Sequence, residues 1–182
     1  MTIPRELTLK HVGSNLLLAS EPIAELSKIQ AQPVSIDNLS LNGNIDLSKN
    51  VGLVKFPCRV DLNMNEIKNL SVVLSNGLGE ELLIGYDKTL NQYYIDRTRS
   101  GKVDFQKDFS GRHVAPRFTD KSNMNITLII DASSVELFAD DGLSVMTETF
   151  FPNKPYNKIE LRSEKTITVK KISYRSLASI WK

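Results

Sequence analysis

Hydrophobic and polar positions along this chain alternate in runs of five to nine residues, each closed by turn-forming residues. The first half holds ELTLK from Glu6, NLLLA from Asn15, VSIDNLSL from Val34, FPCRVDLNM from Phe56, KNLSVVLS from Lys68 and ELLIGYD from Glu81. The second half holds NQYYIDR from Asn91, MNITLIID from Met124, SVELFAD from Ser134, SVMTETF from Ser144, KIELRS from Lys158 and ITVKKISY from Ile167. A period of two marks a half-buried strand, and many short strands with regular turn signals predict an all-β fold, an antiparallel two-sheet β-sandwich of jelly-roll type. The dipeptides Asn42-Gly43, Asn76-Gly77, Ser100-Gly101 and Asp141-Gly142 accept the positive φ that tight hairpins need. One stretch departs from the pattern: Glu21 to Ile29, EPIAELSKI, sets Ile23, Leu26 and Ile29 on one side of a short connector helix with Pro22 in its first turn. Gln30 to Asp37 reads as a joint, which divides the chain into a leading segment, residues 1–30, and a sandwich over residues 31–182.

Composition narrows the function classes. The chain has 182 residues, a length for one domain, and its 23 Lys and Arg nearly balance its 21 Asp and Glu. No basic block exceeds the Lys170-Lys171 pair, so nucleic acid is not an expected partner. No apolar run approaches the ~20 residues of a membrane-spanning helix, and the opening MTIPRELTLK does not read as a signal peptide. Cys58 is the single cysteine, which excludes an intrachain disulfide and a zinc thiolate cluster and leaves a buried, apolar role. His11 and His113 are the only histidines; neither sits in a nucleophile motif or at metal-ligand spacing, and both read as surface or packing residues. Neither a metal nor any other cofactor is expected.

The stretch from Leu128 to Pro152, LIIDASSVELFADDGLSVMTETFFP, concentrates the chain's unexplained acids. Ile126 to Ile130 reads as a strand and Asp131-Ala132-Ser133-Ser134 as a type I turn opened by its aspartate. Val135 and Leu137 then point inward, Glu136 and Phe138 outward, Asp140 and Asp141 serve the next hairpin, and Leu143, Val145 and Thr147 begin a third strand. Glu136 alone is left without a local structural reason.

The word Asp-x-Ser-Ser-Val-Glu-x-Phe at 131–138, with the Asp141-Gly142 turn, a Thr and Phe151-Pro152, resembles the C-terminal β-sandwich of glycoside hydrolase family 32, the levanases, inulinases and invertases. Further words follow in the family's order. Pro4 to Leu9 resembles the exit from the catalytic propeller and Glu21 to Leu26 the Gln-Pro-Val-x-Glu-Leu element. Ile84 to Asp87 and Tyr94 to Gly101 resemble the middle strands, and Ser176 to Trp181 the closing word. The resemblance implies a parent enzyme that cleaves β-fructofuranosides with retention, through a carboxylate nucleophile and a carboxylic acid on a five-bladed propeller. Those residues are not in this chain: it contains no Asp-Pro, and Cys58 follows Pro57 rather than a Glu. No catalytic residue and no turnover are expected of it. A parent acting on polymeric fructan would work outside the cytoplasm, in the medium, the periplasm or at the cell surface.

Three roles remain open at this point. The sandwich could dock on and stabilise its own N-terminal propeller, which would show as an apolar patch; it could bind fructan or fructose, because the fold is also similar to the fructan-binding modules of carbohydrate-binding module family 66; or it could form a homodimer through a sheet edge. A furanose offers adjacent hydroxyls that donate to a carboxylate and accept from a guanidinium, so an exposed Glu beside an Arg can clamp a sugar. Glu136, Asp96 and Arg97 are the candidates for that clamp, Asp131 and Ser133 the weaker ones, with Tyr86, Tyr93 or Tyr94 supplying a ring face. The competing reading is that Arg97 and Glu136 form a cross-strand ion pair that recognises nothing.

Overall fold

The computed structural model describes residues 2–52 and 54–178; Ser179, Ile180 and Trp181, part of the closing word of the family resemblance, lie outside the described residues. Its strands are β1 (Arg5–Val12), β2 (Asn15–Pro22), β3 (Val34–Asp46), β4 (Cys58–Met64), β5 (Leu70–Ser75), β6 (Glu81–Asp87), β7 (Gln92–Arg99), β8 (Arg112–Pro116), β9 (Met124–Ile130), β10 (Ser134–Ala139), β11 (Ser144–Thr149) and β12 (Lys158–Ser176). All pairings are antiparallel. β1 and β2 form a sheet of their own, and the others follow the order β11-β10-β9-β4-β12-β5-β6-β7-β8 with β3 alongside β12.

Two layers arise because β12 serves both. Its first residues, Lys158 to Arg162, pair with β5, and its last, Lys171 to Ser176, pair with β4. β3 flanks it on the other side throughout, with a register shift between Ser163 and Ile167. An irregularity of this kind bends a strand pair, and here the bend carries β3 and β12 from one sheet into the other. The layers face each other through alternate residues, Cys58, Val60 and Leu62 on β4 and Val72 and Leu74 on β5 among them, in a single apolar core. Across the open side, β11 approaches β7 and β8, where Glu148 meets Arg97 at 2.8 Å and His113 at 2.6 Å. A second, smaller core lies outside the sandwich, where Ile129, Phe138 and Leu177 are covered by Ile3, Leu26 and Ile29 from the leading segment.

The expected all-β antiparallel architecture is present, with local corrections. KIELRS and ITVKKISY are one strand, β12, bent at its middle. Asn42-Gly43 is no hairpin: it lies inside β3, with Gly43 opposite Ser163 at the edge of the register shift and at φ 79°. In the β5–β6 loop Gly79 takes the positive φ rather than Gly77, while the Asn76 side chain accepts from the Leu78 amide at 2.9 Å. Ser100-Gly101 opens a long loop, not a tight hairpin, though Gly101 has φ 123°. The connector is a 3₁₀ helix over Ala24–Ile29, and Pro22 ends β2 instead of starting it. β8 was not anticipated, and a further short helix covers Ser48–Val51.

Candidate functional site

β10 and β11 form the hairpin that carries Glu136. The period of two does place Glu136 on the face opposite Val135 and Leu137, but the expectation that it is exposed fails: it is 5% accessible. The leading segment covers it. The Ile3 amide donates to Glu136 Oε1 at 2.7 Å and Arg5 Nη2 donates to Oε2 at 2.5 Å. Arg5 also donates to Thr147 Oγ1 on the paired strand at 2.8 Å, and its guanidinium lies 5.1 Å from the centre of the Phe138 ring. Both oxygens of the carboxylate are thus occupied by one short segment of chain. Glu136 is an anchor for that segment and is not open to a ligand.

The other candidates do not converge on it. Arg97 is buried and pairs with Glu148, not Glu136, because Glu148 and Val135 are register partners and so share the face opposite Glu136. Its Nη1 also donates to the Thr149 carbonyl at 3.1 Å and its guanidinium stacks on Phe109 at 3.9 Å. Asp96 accepts from the amide and hydroxyl of Thr98, closing a local turn. Asp131 receives the Ala132 amide at 2.8 Å and its own amide donates to the Ser134 carbonyl, so the chain does reverse at this aspartate, though the bond runs opposite to the one that closes a type I turn. Ser133 supplies a backbone carbonyl to the Phe150 amide. Tyr86, Tyr93 and Tyr94 are all buried, so none offers a free ring face. The five-residue clamp is not assembled, and neither is the Arg97–Glu136 ion pair.

Asp140 does more than serve a turn. Asp140, Asp141 and Gly142 follow one another at φ 50°, 58° and 80°, a left-handed run that turns the Asp140 carboxylate into the protein. There Arg117 Nε donates to Oδ2 at 2.8 Å and Nη2 to Oδ1 at 3.2 Å. The remaining Arg117 donors go to the carbonyls of Thr119, Lys121 and Asn123. Tyr93 donates its hydroxyl to Asp140 Oδ2 at 2.7 Å. Burial and then the Asp140 charge hold the Tyr93 phenol far above its ordinary range, so it remains a donor. Burial works against the Arg117 charge, but the Asp140 carboxylate more than offsets it. The sequence showed the turn and not the partner, since Arg117 is 23 positions away with no pattern linking them. Cys58, as expected, is buried, and its thiol is pushed up to about 12 by burial and by the charge of Asp131.

The most open apolar feature is on the β1–β2 hairpin. Leu7, Leu9, Leu16 and Leu18 are 53–65% exposed, and the register sets Leu9 opposite Leu18 and His11 opposite Leu16. The other face is fastened to the sandwich: Ser20 donates its amide to the Gly142 carbonyl at 2.9 Å, and Lys10 reaches the Asp141 carbonyl at 2.6 Å and Glu21 at 2.9 Å. Gly142 must lack a side chain here, because a Cβ would run into the backbone of Ser20. The alternation in ELTLK and NLLLA signalled one apolar face; which face was covered could not be read from it. Among the described residues no group of three or more His, Cys, Asp or Glu could hold a metal ion, and no helix is long and apolar enough to cross a membrane.

Fold and site together define an antiparallel β-sandwich fastened to a leading hairpin whose outer face is apolar. Residues 24–176 match the model for the C-terminal domain of glycosyl hydrolases family 32, and the chain belongs to that family. It is 26% identical to a levanase of Bacillus sp. (strain L7) over all of its own length and 20% of that protein's. It is 29% identical to an extracellular exo-inulinase of Aspergillus ficuum over 84% of this chain and 29% of that one. The crystal structure of an exo-inulinase from Aspergillus awamori superposes with a TM-score of 0.81 and 26% identity, covering 99% of this chain and 36% of that one. The chain thus spans between a fifth and a third of the length of the curated relatives described. The hairpin lies ahead of the family match, which begins at residue 24.

Proposed function

We propose that this chain is the non-catalytic sandwich of a secreted, fructan-degrading glycosidase, and that residues 1–30 join it to an N-terminal catalytic domain that hydrolyses β-fructofuranosidic bonds. The carrying observation is the hairpin, fastened to the sandwich on one face and presenting four exposed leucines on the other. A two-stranded hairpin is marginal alone and gains stability by packing its apolar face. Four neighbouring exposed leucines on one face form an apolar patch of the kind that marks an interface. The occupant is the catalytic domain: relatives named levanase and exo-inulinase are several times longer than this chain, and the hairpin precedes the part that matches the C-terminal domain. Burying a leucine contributes ~1.5–3 kcal/mol, so the patch is sufficient to couple two domains.

The test substitutes Leu9→Asp together with Leu18→Asp. In the two-domain protein the pair should lower the melting temperature of the catalytic domain and increase hydrogen exchange in β1 and β2. In this chain alone it should change stability by no more than ~0.5 kcal/mol, as for other exposed positions. Unchanged melting of the two-domain protein would overturn the reading, and loss of a dimer of this chain on substitution would replace the catalytic domain with a second copy.

A further inference from the structure

We infer that the outer face of the sheet formed by β12, β5, β6, β7 and β8 carries a binding site for a neutral, polyhydroxylated ligand, a sugar, gripped by Arg112 and Asp87. A groove of about 390 Å³ opens there, within the size range of small-ligand sites, with Ser71, Asp87, Tyr94, Arg112, Asn44 and Glu164 among its lining. Its floor is built from the absence of a side chain. A Cβ at Gly85 would come within 2.7 Å of the Tyr94 ring, so the glycine is what lets that ring lie down against the sheet. The Tyr94 hydroxyl is fixed there by a 2.6 Å hydrogen bond with Ser71 Oγ. Arg112 in turn stacks on the outward side of the ring, 3.7 Å from its centre, and covers it. The guanidinium is held flat before anything binds, which removes much of the ordering cost that a free arginine would incur.

The donors and acceptors left over suit hydroxyls. Arg112 touches Asp87 Oδ2 only at 3.6 Å, and its side chain is 42% exposed, so its other N–H groups remain open. Asp87 Oδ1 is used by the amides of Thr89 and Leu90, leaving Oδ2 to accept from a ligand. In the Tyr94–Ser71 pair only one hydrogen lies between the oxygens, so the second can be donated outward. Two adjacent sugar hydroxyls, one donating to a carboxylate and one accepting from a guanidinium, match that arrangement. Charge selects against an anion, because Arg162 is already taken by Glu81 and Glu160 and leaves Arg112 facing both Asp87 and Glu164. The Arg112 guanidinium in turn repels a cation from the same groove, and the polar side chains of its lining do not suit a hydrocarbon.

This site rests on the fructanase reading only for which sugars to try first. The experiment is a titration of the isotope-labelled chain, followed by NMR, with fructose, with oligosaccharides from levan and from inulin, and with maltose. Saturable shifts are expected at the amides of Gly85, Asp87 and Arg112. Arg112→Ala and Asp87→Asn should each weaken binding roughly tenfold or more. Arg112→Lys should also weaken it, since an ammonium cannot lie flat on the ring and present a planar fork. All three variants should melt with the parent chain, because the two side chains are partly exposed. Binding of maltose alone would uphold the sugar site while removing its link to fructan. No saturation with any sugar, or saturation unchanged in the Arg112 and Asp87 variants, would overturn it, whatever the hairpin experiment shows.

Discussion

Glu136 and Asp140 stand four positions apart on one strand and its turn, both are buried, and both hold an arginine, yet they fasten different things. The arginine at Asp140 comes from 23 positions upstream, within the sandwich, and its pair is sealed, with side chains 4% and 3% exposed. The arginine at Glu136 comes from 131 positions upstream, in the leading segment, and is 24% exposed. One pair closes the domain on itself; the other sets where a neighbouring segment lies. Burial alone therefore does not separate a residue that sustains a fold from one that orients what precedes it. The origin of the partner does.

The largest effect that would break this comparison is at Asp140. Asp140→Ala leaves the Arg117 charge buried without its counter-ion and the Tyr93 hydroxyl without an acceptor, at a cost of ~3–5 kcal/mol. For a chain of this size that lowers the thermal midpoint by roughly 6–20 °C, and a loss below about 2 °C would show that the pair is dispensable. A smaller and localised loss is expected from Glu136→Ala, ~1–3 kcal/mol, because the Ile3 amide and Arg5 lose a charged acceptor. Hydrogen exchange over residues 3–22 and tryptic cleavage after Arg5 and Lys10 should rise well before the sandwich itself melts. If the two variants shifted global unfolding equally, the distinction between internal and inter-segment anchors would fail.

The smallest effect sharpens the comparison on a more open network. Glu81 is held below its ordinary 4.5 by its hydrogen bond from Arg162, and Glu160 by hydrogen bonds from Lys158 and Arg162 that outweigh its burial. Both carboxylates have folded values depressed below their unfolded ones. Their contribution is therefore complete above about 4.5 and is lost as the pH falls through the lower folded values. Acid titration of the thermal midpoint should show this loss in the wild type and a shallower one in Arg162→Ala. An identical acid profile in the two would mean that solvent already screens these pairs.

Much of the fold was legible because strand alternation is local information. Val135 and Leu137 are inward, Asp131 opens a turn, and Cys58 is buried, each from a pattern a few residues long. What failed to show were relations across the chain. Glu136 looked free because nothing within reach of its own hairpin explains it; its partners, the Ile3 amide and Arg5, lie at the other end of the sequence. Asn42-Gly43 has hairpin chemistry, but pairing with β12 on the far side of the chain keeps it in a strand. β8 is short, ends in proline and sits at the end of the sheet path, so its five residues carry too little alternation to announce a strand. The groove around Gly85 depends on residues from several strands, and only the register brings them together.

The bent pair of β3 and β12 has a consequence for how the chain acquires its shape. Val34 pairs with Tyr174, so the two sheets share a seam whose halves are about 140 positions apart. A chain rich in such distant pairings must close long loops before the contacts reward it, and it folds slowly for its size. During synthesis the sandwich cannot be completed until β12 has left the ribosome, whereas the β1–β2 hairpin, whose strands are neighbours, can form at once. Hairpin and sandwich are thus made on different schedules, and β12, which pairs with β3, β4 and β5, is the clasp that closes the sandwich.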